Sequence, residues 1–222
     1  MSRAVSVRRA PARQILRLSH VDWKVYLRLR HAFDIHRGVR MTYDRGELEI
    51  MSPLLKHDDD AAILERFVVV LTEELGLPIK HGGSTTLKRR KRQKGIEADR
   101  CYWIANAARM AGKRELDLRT DPPPDLAIEV DVTHSSLDRM SIYAALNVPE
   151  VWRVEGDLIT FDFLDADGVY RSLDRSRWFP ILAPADLLRF LALARRAGDE
   201  NVVVQQFRDW VRQQIGTPPP AP

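Results

Sequence analysis

One segment of the sequence places three acidic side chains on a single face of a predicted strand. Residues 125–132 read Asp-Leu-Ala-Ile-Glu-Val-Asp-Val, and strand side chains point to opposite faces with a period of two. Asp125, Glu129 and Asp131 therefore share one face, and the apolar residues share the other. Like charges this close destabilise a fold unless a cation lies between them. A solvent-exposed edge strand would carry the same acids at little cost, so two interpretations stand.

Clustered carboxylates are the ligands that hard cations such as Mg²⁺ and Mn²⁺ prefer, usually with water and substrate phosphates completing the shell. Such an ion polarises a phosphodiester and activates a water molecule as the nucleophile. A second acidic segment, Glu97-Ala98-Asp99, begins another predicted strand 30 residues before Glu129. If the two strands are neighbours, Asp99 and Glu129 complete a two-carboxylate metal site.

The basic residues are concentrated in two segments, although the net charge is only +4. The first 21 residues carry five arginines and no acid, and the remainder outside both segments is net acidic. The second segment supplies the candidate nucleic-acid contacts, which are Lys88, Arg89, Arg90, Lys91, Arg92 and Lys94. Such segments suit contact with phosphates. On charge alone, a solvated arm and a solvated loop are the favoured explanation.

Composition narrows the class of protein. The chain has 222 residues, of which 45% are hydrophobic and 30% are charged, so it can bury a sizeable core. Its single cysteine, Cys101, excludes an internal disulfide and a cysteine-based zinc site. No apolar run reaches the roughly 20 residues of a bilayer span, and the N-terminus lacks the apolar stretch of a signal peptide. We expect a cytoplasmic protein with no membrane partner.

Hydrophobic periodicity predicts the elements that position these residues. We expect one domain over 15–216, with a flexible basic arm at 1–14 and a disordered Pro-rich tail at 217–222. Helices are predicted to about Phe33 and over 58–75, 135–146, 184–196 and 201–215. Strands are predicted over 39–43, 47–51, 79–81, 84–87, 99–104, 125–132, 150–154, 158–163 and 169–172. The fold class is therefore α/β (α+β), a central mixed sheet flanked by helices.

Several short motifs occur together in a fixed order. They are Gly95-Ile96-Glu97-Ala98-Asp99, Pro123-Pro124-Asp125-Leu126-Ala127-Ile128-Glu129-Val130, Met51-Ser52-Pro53 followed by His57, Gly83-Ser84-Thr85-Thr86, and Val148-Pro149-Glu150-Val151-Trp152. Together they resemble the PD-(D/E)XK nuclease superfamily and, more narrowly, its Uma-type family of restriction endonucleases. The resemblance covers about residues 39–165. It implies a restriction-endonuclease-like core that cuts DNA at a metal site.

Carried over position by position, the resemblance implies a role for each acid. Asp99 matches the first acid of the motif and Glu129 the second, both as ligands of Mg²⁺ or Mn²⁺. The carbonyl of Val130 is a further ligand on this basis. Asp125 matches an acid at the start of the same strand, where it would support the metal or a bound water.

This chain departs from the family pattern at two positions. The motif lysine, two residues after the second acid, is Asp131 here, and Ala98 replaces the proline before the first acid. The resemblance implies that a basic residue on the following helix takes the place of that lysine, and the matching position is Arg139. Arginine keeps its proton and cannot act as a general base, but it can hold a phosphate and stabilise developing charge.

The predicted function is a Mg²⁺-dependent endonuclease acting on DNA, with a homodimer as the default assembly because duplex cleavage needs two cuts. The predicted catalytic residues are Asp99, Asp125, Glu129, Arg139 and His57. His57 would orient a water or a phosphate, although a capping or packing role is equally consistent with its position. Tyr143 is expected in the core. The alternatives are a nucleic-acid-binding module of the same fold that has lost catalysis and a small-molecule hydrolase.

Overall fold

The computed structural model describes residues 14–33, 39–52, 55–130, 135 and 137–216, with the side chains left out at 14, 52 and 55–58. Its helices are α1 (Trp23–Phe33), α2 (Leu55–Glu74), α3 (Ala107–Met110), α4 (Arg139–Ala145), α5 (Pro184–Ala194) and α6 (Glu200–Gly216). A single 3₁₀ turn spans Arg90–Arg92. None of the described helices combines the length and the apolar character that crossing a membrane requires.

The strands form two sheets. They are β1 (Gln14–Leu18), β2 (Arg40–Asp44), β3 (Glu47–Ser52), β4 (Lys80–Gly83), β5 (Thr86–Arg89), β6 (Lys94–Glu97), β7 (Arg100–Trp103), β8 (Leu126–Val130), β9 (Glu150–Glu155), β10 (Leu158–Leu164) and β11 (Tyr170–Leu173). One sheet is antiparallel, in the order β1-β3-β2-β6-β5. The other has the order β11-β10-β9-β8-β7-β4, and its β8–β9 pair is parallel.

The mixed sheet has helices on both faces, and the alternation along β8 decides which side chains meet which helix. Leu126, Ile128 and Val130 enter the core that includes α2, α5 and α6. Ala127 lies on the opposite face, in the core that includes residues of α4. A third core joins α1 to the antiparallel sheet and centres on Tyr26, which stacks on Tyr43. The mixed sheet flanked by helices confirms the predicted fold class.

The position of β8 decides between the two interpretations of its acidic face. The strand lies between β7 and β9, and all five of its residues are buried. It is therefore an interior strand and not a solvent-exposed edge, so its acids need partners. Asp131 lies outside the described residues.

The separate antiparallel sheet is a departure from the prediction of one central sheet. Strands β1 and β6 are not among the predicted strands, because neither carries a clear alternation of apolar and polar residues. The segment 88–94 belongs to a β-hairpin with a 3₁₀ turn and is not a loop. The predicted arm at 1–14 and the tail at 217–222 lie outside the described residues apart from the backbone of Gln14.

Candidate active site

Asp99 lies where the chain passes from one sheet to the other. Strand β6 ends in the antiparallel sheet at Glu97, β7 begins in the mixed sheet at Arg100, and only Ala98 and Asp99 connect them. Arg100 pairs with Ile128 of the antiparallel neighbour β8, so one further step of the register places Asp99 opposite Glu129. Directly opposed Cβ atoms in such a pair are about 5 Å apart. The predicted pairing of these two acids is what the topology produces.

A backbone hydrogen bond fixes the Asp99 carboxylate at this junction. The amide of Val130 donates to Asp99 Oδ2 at 2.8 Å. The other oxygen, Oδ1, lies 3.7 Å from Nε of Arg40 on β2, which is too long for a hydrogen bond. Oδ1 of Asp99 therefore accepts no hydrogen bond from the Arg40 guanidinium.

Glu129 is enclosed by protein, with only 2% of its surface exposed. Arg139 donates from Nη2 to Glu129 Oε2 at 2.6 Å, and the Tyr143 hydroxyl donates to Oε1. Arg139 and Tyr143 lie one helical turn apart on α4, so they present their side chains on the same face. Tyr143 is buried as expected, but it is also a direct partner of the candidate ligand.

Arg139 connects the two sheets as well as neutralising Glu129. Its Nη1 donates to Thr42 Oγ1 on β2 at 2.7 Å, and its Nη2 also donates to the carbonyl of Glu97 at 3.2 Å. Its position at the start of α4 is fixed by the cap, because the amide of Ser141 donates to the Asp138 carboxylate at 3.0 Å. Lysine, with one terminal nitrogen, would not match this fork.

Burial dominates the electrostatics of the site. It raises the pKa of the Glu129 carboxyl against the attraction of Arg139, and the Asp99 charge raises it further. Burial alone would lower the pKa of Arg139, but the charge and hydrogen bond of Glu129, together with Tyr143 and Asp99, outweigh it, so the pKa of Arg139 is raised and the guanidinium stays charged. Burial also raises the pKa of Glu97, whose carboxylate accepts from the Thr86 hydroxyl and the Met41 amide.

The donor set fits a divalent cation in one form. Asp99 and Glu129 supply hard oxygen ligands from adjoining strands, as Mg²⁺ and Mn²⁺ prefer, and a carboxylate that accepts one hydrogen bond per oxygen retains lone pairs. Within the described ranges, no group of three His, Cys, Asp or Glu side chains could hold an ion. A two-carboxylate site completed by water and substrate oxygens is therefore the form that would fit such an ion, and Arg139 would compete with it for Glu129.

Asp125 does not reach this pair, although it lies on the same strand face as Glu129. Four residues of strand separate the two by about 13 Å, whereas ligands of one ion lie within about 2.6 Å of it. The Asp125 carboxylate instead accepts from the amides of Ile104 and Asn106, at 2.7 and 3.0 Å, and from the Asn106 side chain at 2.8 Å. These contacts hold the loop after β7 and leave no place for Asp125 as a third ligand.

The six predicted nucleic-acid contacts have different surroundings. Arg90, Lys91 and Arg92 lie at the 3₁₀ turn, and all three are exposed. Arg89 donates to the carbonyl of Leu118 at 3.0 Å, and Lys88 is half-buried. The turn lies at the end of the hairpin away from Asp99, since β6 runs from Lys94 to Glu97 over about 10 Å.

Lys94 departs from the prediction because its side chain points inward. It is only 7% exposed, and its Nζ lies 2.8 Å from Asp44 Oδ2 and 3.4 Å from Ser141 Oγ. A buried ammonium paired in this way has no free charge to offer a nucleic acid. The remaining candidates for nucleic-acid contact are therefore the turn at Arg90–Arg92 and the two residues before it.

One family model matches most of this chain. A sequence model of the Uma2 family, described as "Putative restriction endonuclease", matches residues 23–188, about three quarters of the chain. The chain belongs to the Uma2 family. A crystal structure of "a putative nuclease belonging to DUF820" from Anabaena variabilis ATCC 29413 is similar at 13% identity and a TM-score of 0.47, over 68% of this chain and 90% of that one. No curated protein matches the chain.

In this Uma2 family member, sequence reasoning missed three of the side chains around the carboxylate pair. Arg40 and Thr42 come from β2, far before Asp99 and Glu129 in the sequence, and nothing local marks them. Tyr143 did carry a signal, because it follows Arg139 by four residues on a predicted helix. The side chain of the remaining predicted residue, His57, lies outside the described part of the chain.

Proposed function

We propose that the chain is a metal-dependent endonuclease that hydrolyses phosphodiester bonds of DNA, with Asp99 and Glu129 as the ligands of Mg²⁺ or Mn²⁺. The observation that carries the proposal is the register of β7 and β8, which sets the two carboxylates opposite each other beside two arginines. Membership of the Uma2 family supports the same reaction class. Carboxylates beside cations, at the point where two sheets meet, suit an anionic phosphodiester substrate.

Each residue has a separable task in this proposal. A bound Mg²⁺ would polarise the phosphodiester and activate the attacking water. Tyr143 orients Glu129 by donating to one of its oxygens. Arg139, always charged, neutralises the phosphate as negative charge develops on it. The turn at Arg90–Arg92 contributes contacts to the sugar–phosphate backbone, which position the substrate without reading its sequence.

Supercoiled plasmid incubated with purified protein and Mg²⁺ or Mn²⁺ tests the reaction. The isosteric changes Asp99→Asn and Glu129→Gln remove one negative charge each while keeping an oxygen that accepts the Val130 or Arg139 hydrogen bond. Both are expected to abolish nicking. Asp157→Asn is the matched control, since that carboxylate is 94% exposed and lies in the β9–β10 turn, away from the pair. Nicking that survives both site variants contradicts the assignment.

A second candidate function, a nucleic-acid-binding module without catalysis, is favoured by one observation. Arg139 already neutralises Glu129, at 2.6 Å, where the family motif calls for a base that can lose its proton. This alternative predicts salt-sensitive DNA binding that EDTA leaves unchanged, with no nicking at any metal concentration. Titrating a labelled duplex with protein in EDTA and in Ca²⁺ separates the two functions, because a nuclease site holding an ion binds the substrate more tightly with Ca²⁺.

We also propose that the active form is a homodimer, since cutting both strands of a duplex takes two sites related by symmetry. Sedimentation of the protein with and without duplex DNA tests this. One protein copy per duplex at saturation would overturn it.

A further inference from the structure

Arg40 is the second arginine beside the carboxylate pair. Its side chain is 10% exposed, and its Nε lies 3.7 Å from Asp99 Oδ1. Within the part of the chain that the structure describes, this buried Nε makes no hydrogen bond, and neither does Nε of Arg139. Two guanidinium N–H groups beside the same two acids therefore lack acceptors among the described residues.

A buried donor without an acceptor is costly and rare in a folded protein. An acceptor that arrives with the substrate resolves the cost at this position. The guanidinium fork matches the oxygens of a phosphate and is the preferred protein group for that anion. A divalent cation does not accept from an N–H, so the ion alone leaves both donors unsatisfied.

The open geometry of the Arg40–Asp99 pair contrasts with a closed pair in the same sheet. Lys94 and Asp44, on β6 and β2, form a buried ion pair at 2.8 Å. Arg40 lies 3.7 Å from its acid, which is 0.9 Å further than Lys94 lies from Asp44. An ion pair that only holds two strands together would close to the same distance, whereas the separation between Arg40 and Asp99 leaves this donor without an acceptor in the described part of the chain.

We propose that Arg40 binds the substrate phosphate, and that it screens the Asp99 charge before the divalent ion takes that carboxylate. The inference rests on the proposed function and adds a residue from the antiparallel sheet to it. Arg40 and Arg139 then approach one phosphate from β2 and from α4. Arg40 therefore weakens the binding of the metal ion and strengthens the binding of DNA.

Two binding measurements without turnover test the proposal. Mn²⁺ binding to the free protein is measured by calorimetry, and binding of a labelled DNA duplex is measured with Ca²⁺ as the ion. Arg40→Met is expected to bind Mn²⁺ about tenfold more tightly, since a nearby cation is removed from Asp99. The same variant is expected to bind the duplex about tenfold more weakly. Arg153→Met, in an ion pair with Asp162 on β9–β10, removes the same charge and is expected to change neither.

The outcomes separate this inference from the proposed function. Wild-type protein that binds no Mn²⁺ refutes the metal site itself. If the wild type binds Mn²⁺ and Arg40→Met binds the duplex as tightly as Arg153→Met does, the proposed role of Arg40 is refuted. The proposed metal site and nuclease function are then unaffected. Weaker binding of both Mn²⁺ and the duplex by Arg40→Met would indicate that Arg40 has a structural role only. Arg40→Lys keeps the charge and loses the fork, so it decides the matter if circular dichroism shows that Arg40→Met does not fold; we expect wild-type Mn²⁺ affinity and weaker DNA binding.

Discussion

The guanidinium of Arg139 lies 2.6 Å from the Glu129 carboxylate, so the interior strand of the mixed sheet receives its compensating charge from the helix that follows it. Both side chains are almost fully buried. Removing one member of such a pair leaves an uncompensated charge in a low-dielectric interior, which is far more costly than losing a surface ion pair.

Strong energetic coupling between Arg139 and Glu129 is the first prediction. Arg139→Met is expected to lower the free energy of unfolding by about 3 kcal/mol, because Glu129 is left buried and unpaired. Adding Glu129→Gln recovers more than about 1 kcal/mol of that loss. Urea denaturation of the two single variants and the double variant measures the coupling. The exposed pair Arg119 and Asp117 is the control, for which we expect a much weaker coupling because solvent screens the two charges.

Arg139→Lys tests whether the missing base limits catalysis. The pKa of a buried lysine falls readily, so lysine can accept a proton where arginine cannot. We expect plasmid nicking to rise about tenfold at fixed Mg²⁺, an effect within the range of general base catalysis. Initial rates at several Mg²⁺ concentrations provide the measurement. An unchanged or lower rate in a folded protein would show that the general base of the family does not act from position 139.

Asp125→Ala is expected to affect stability and not cleavage. The variant leaves the amides of Ile104 and Asn106 without their acceptor, at a cost of about 3 kcal/mol. Urea denaturation measures the loss, and nicking per folded molecule is expected to equal that of the wild type. Asp99→Asn should give the reverse pattern. If Asp125→Ala has normal stability but no longer nicks the plasmid, Asp125 takes part in catalysis and this prediction is wrong.

The basic turn at Arg90–Arg92 is expected to contribute to the salt dependence of DNA binding. Replacing Arg90, Lys91 and Arg92 with glutamine is expected to lower the slope of log K against log salt by up to about 3, since each phosphate that a base neutralises contributes about 0.9. Lys94→Met serves as the control, because its buried ammonium pairs with Asp44. That variant is expected to lose about 2 kcal/mol of stability and keep the wild-type slope. Equal slopes for both variants would contradict the assignment.

Gly95 of β6 packs closely against Tyr26 of α1. A Cβ built on Gly95 would lie 2.9 Å from Cζ of Tyr26 and in collision with its hydroxyl oxygen. Gly95→Ala is therefore expected to destabilise the fold by about 2 kcal/mol through overpacking. Thermal unfolding checks this against Gly198→Ala, whose Cβ would meet nothing within 4 Å. A melting temperature as high as that of the control would contradict the close approach.

Local patterns in the sequence predicted the parts of the site that lie on one element. The alternation along β8 identified the faces of Glu129 and its apolar neighbours, because an interior strand sorts its side chains strictly by period. The four-residue spacing on α4 is sufficient to pair Arg139 with Tyr143 on one helix face. The meeting of the two acidic segments was expected only if their strands are neighbours, and β7 and β8 do pair with each other.

Long-range pairing accounts for what the sequence did not reveal. β6 joins β2 of the antiparallel sheet across about 50 residues, so Lys94 looked like part of a basic loop although it is the buried partner of Asp44. The position of Arg40 beside the carboxylate pair could not be predicted for the same reason, since its neighbour Asp99 is 59 residues away in sequence. Asp125 shared the face of Glu129, but a shared face does not bring two residues of one strand together. Tertiary register, and not residue type, decided each of these positions.

The two-residue connection at Ala98 and Asp99 makes the carboxylate spacing a property of how the two sheets are joined. Ala98 is fully buried, so the connection has no slack with which to absorb a shift of one sheet against the other. A single residue inserted between Asp99 and Arg100 would move Asp99 out of register with Glu129 while both sheets kept their own pairing. The spacing of the two carboxylates thus depends on the length of this two-residue connection, and an insertion at that point would separate them without unfolding either sheet.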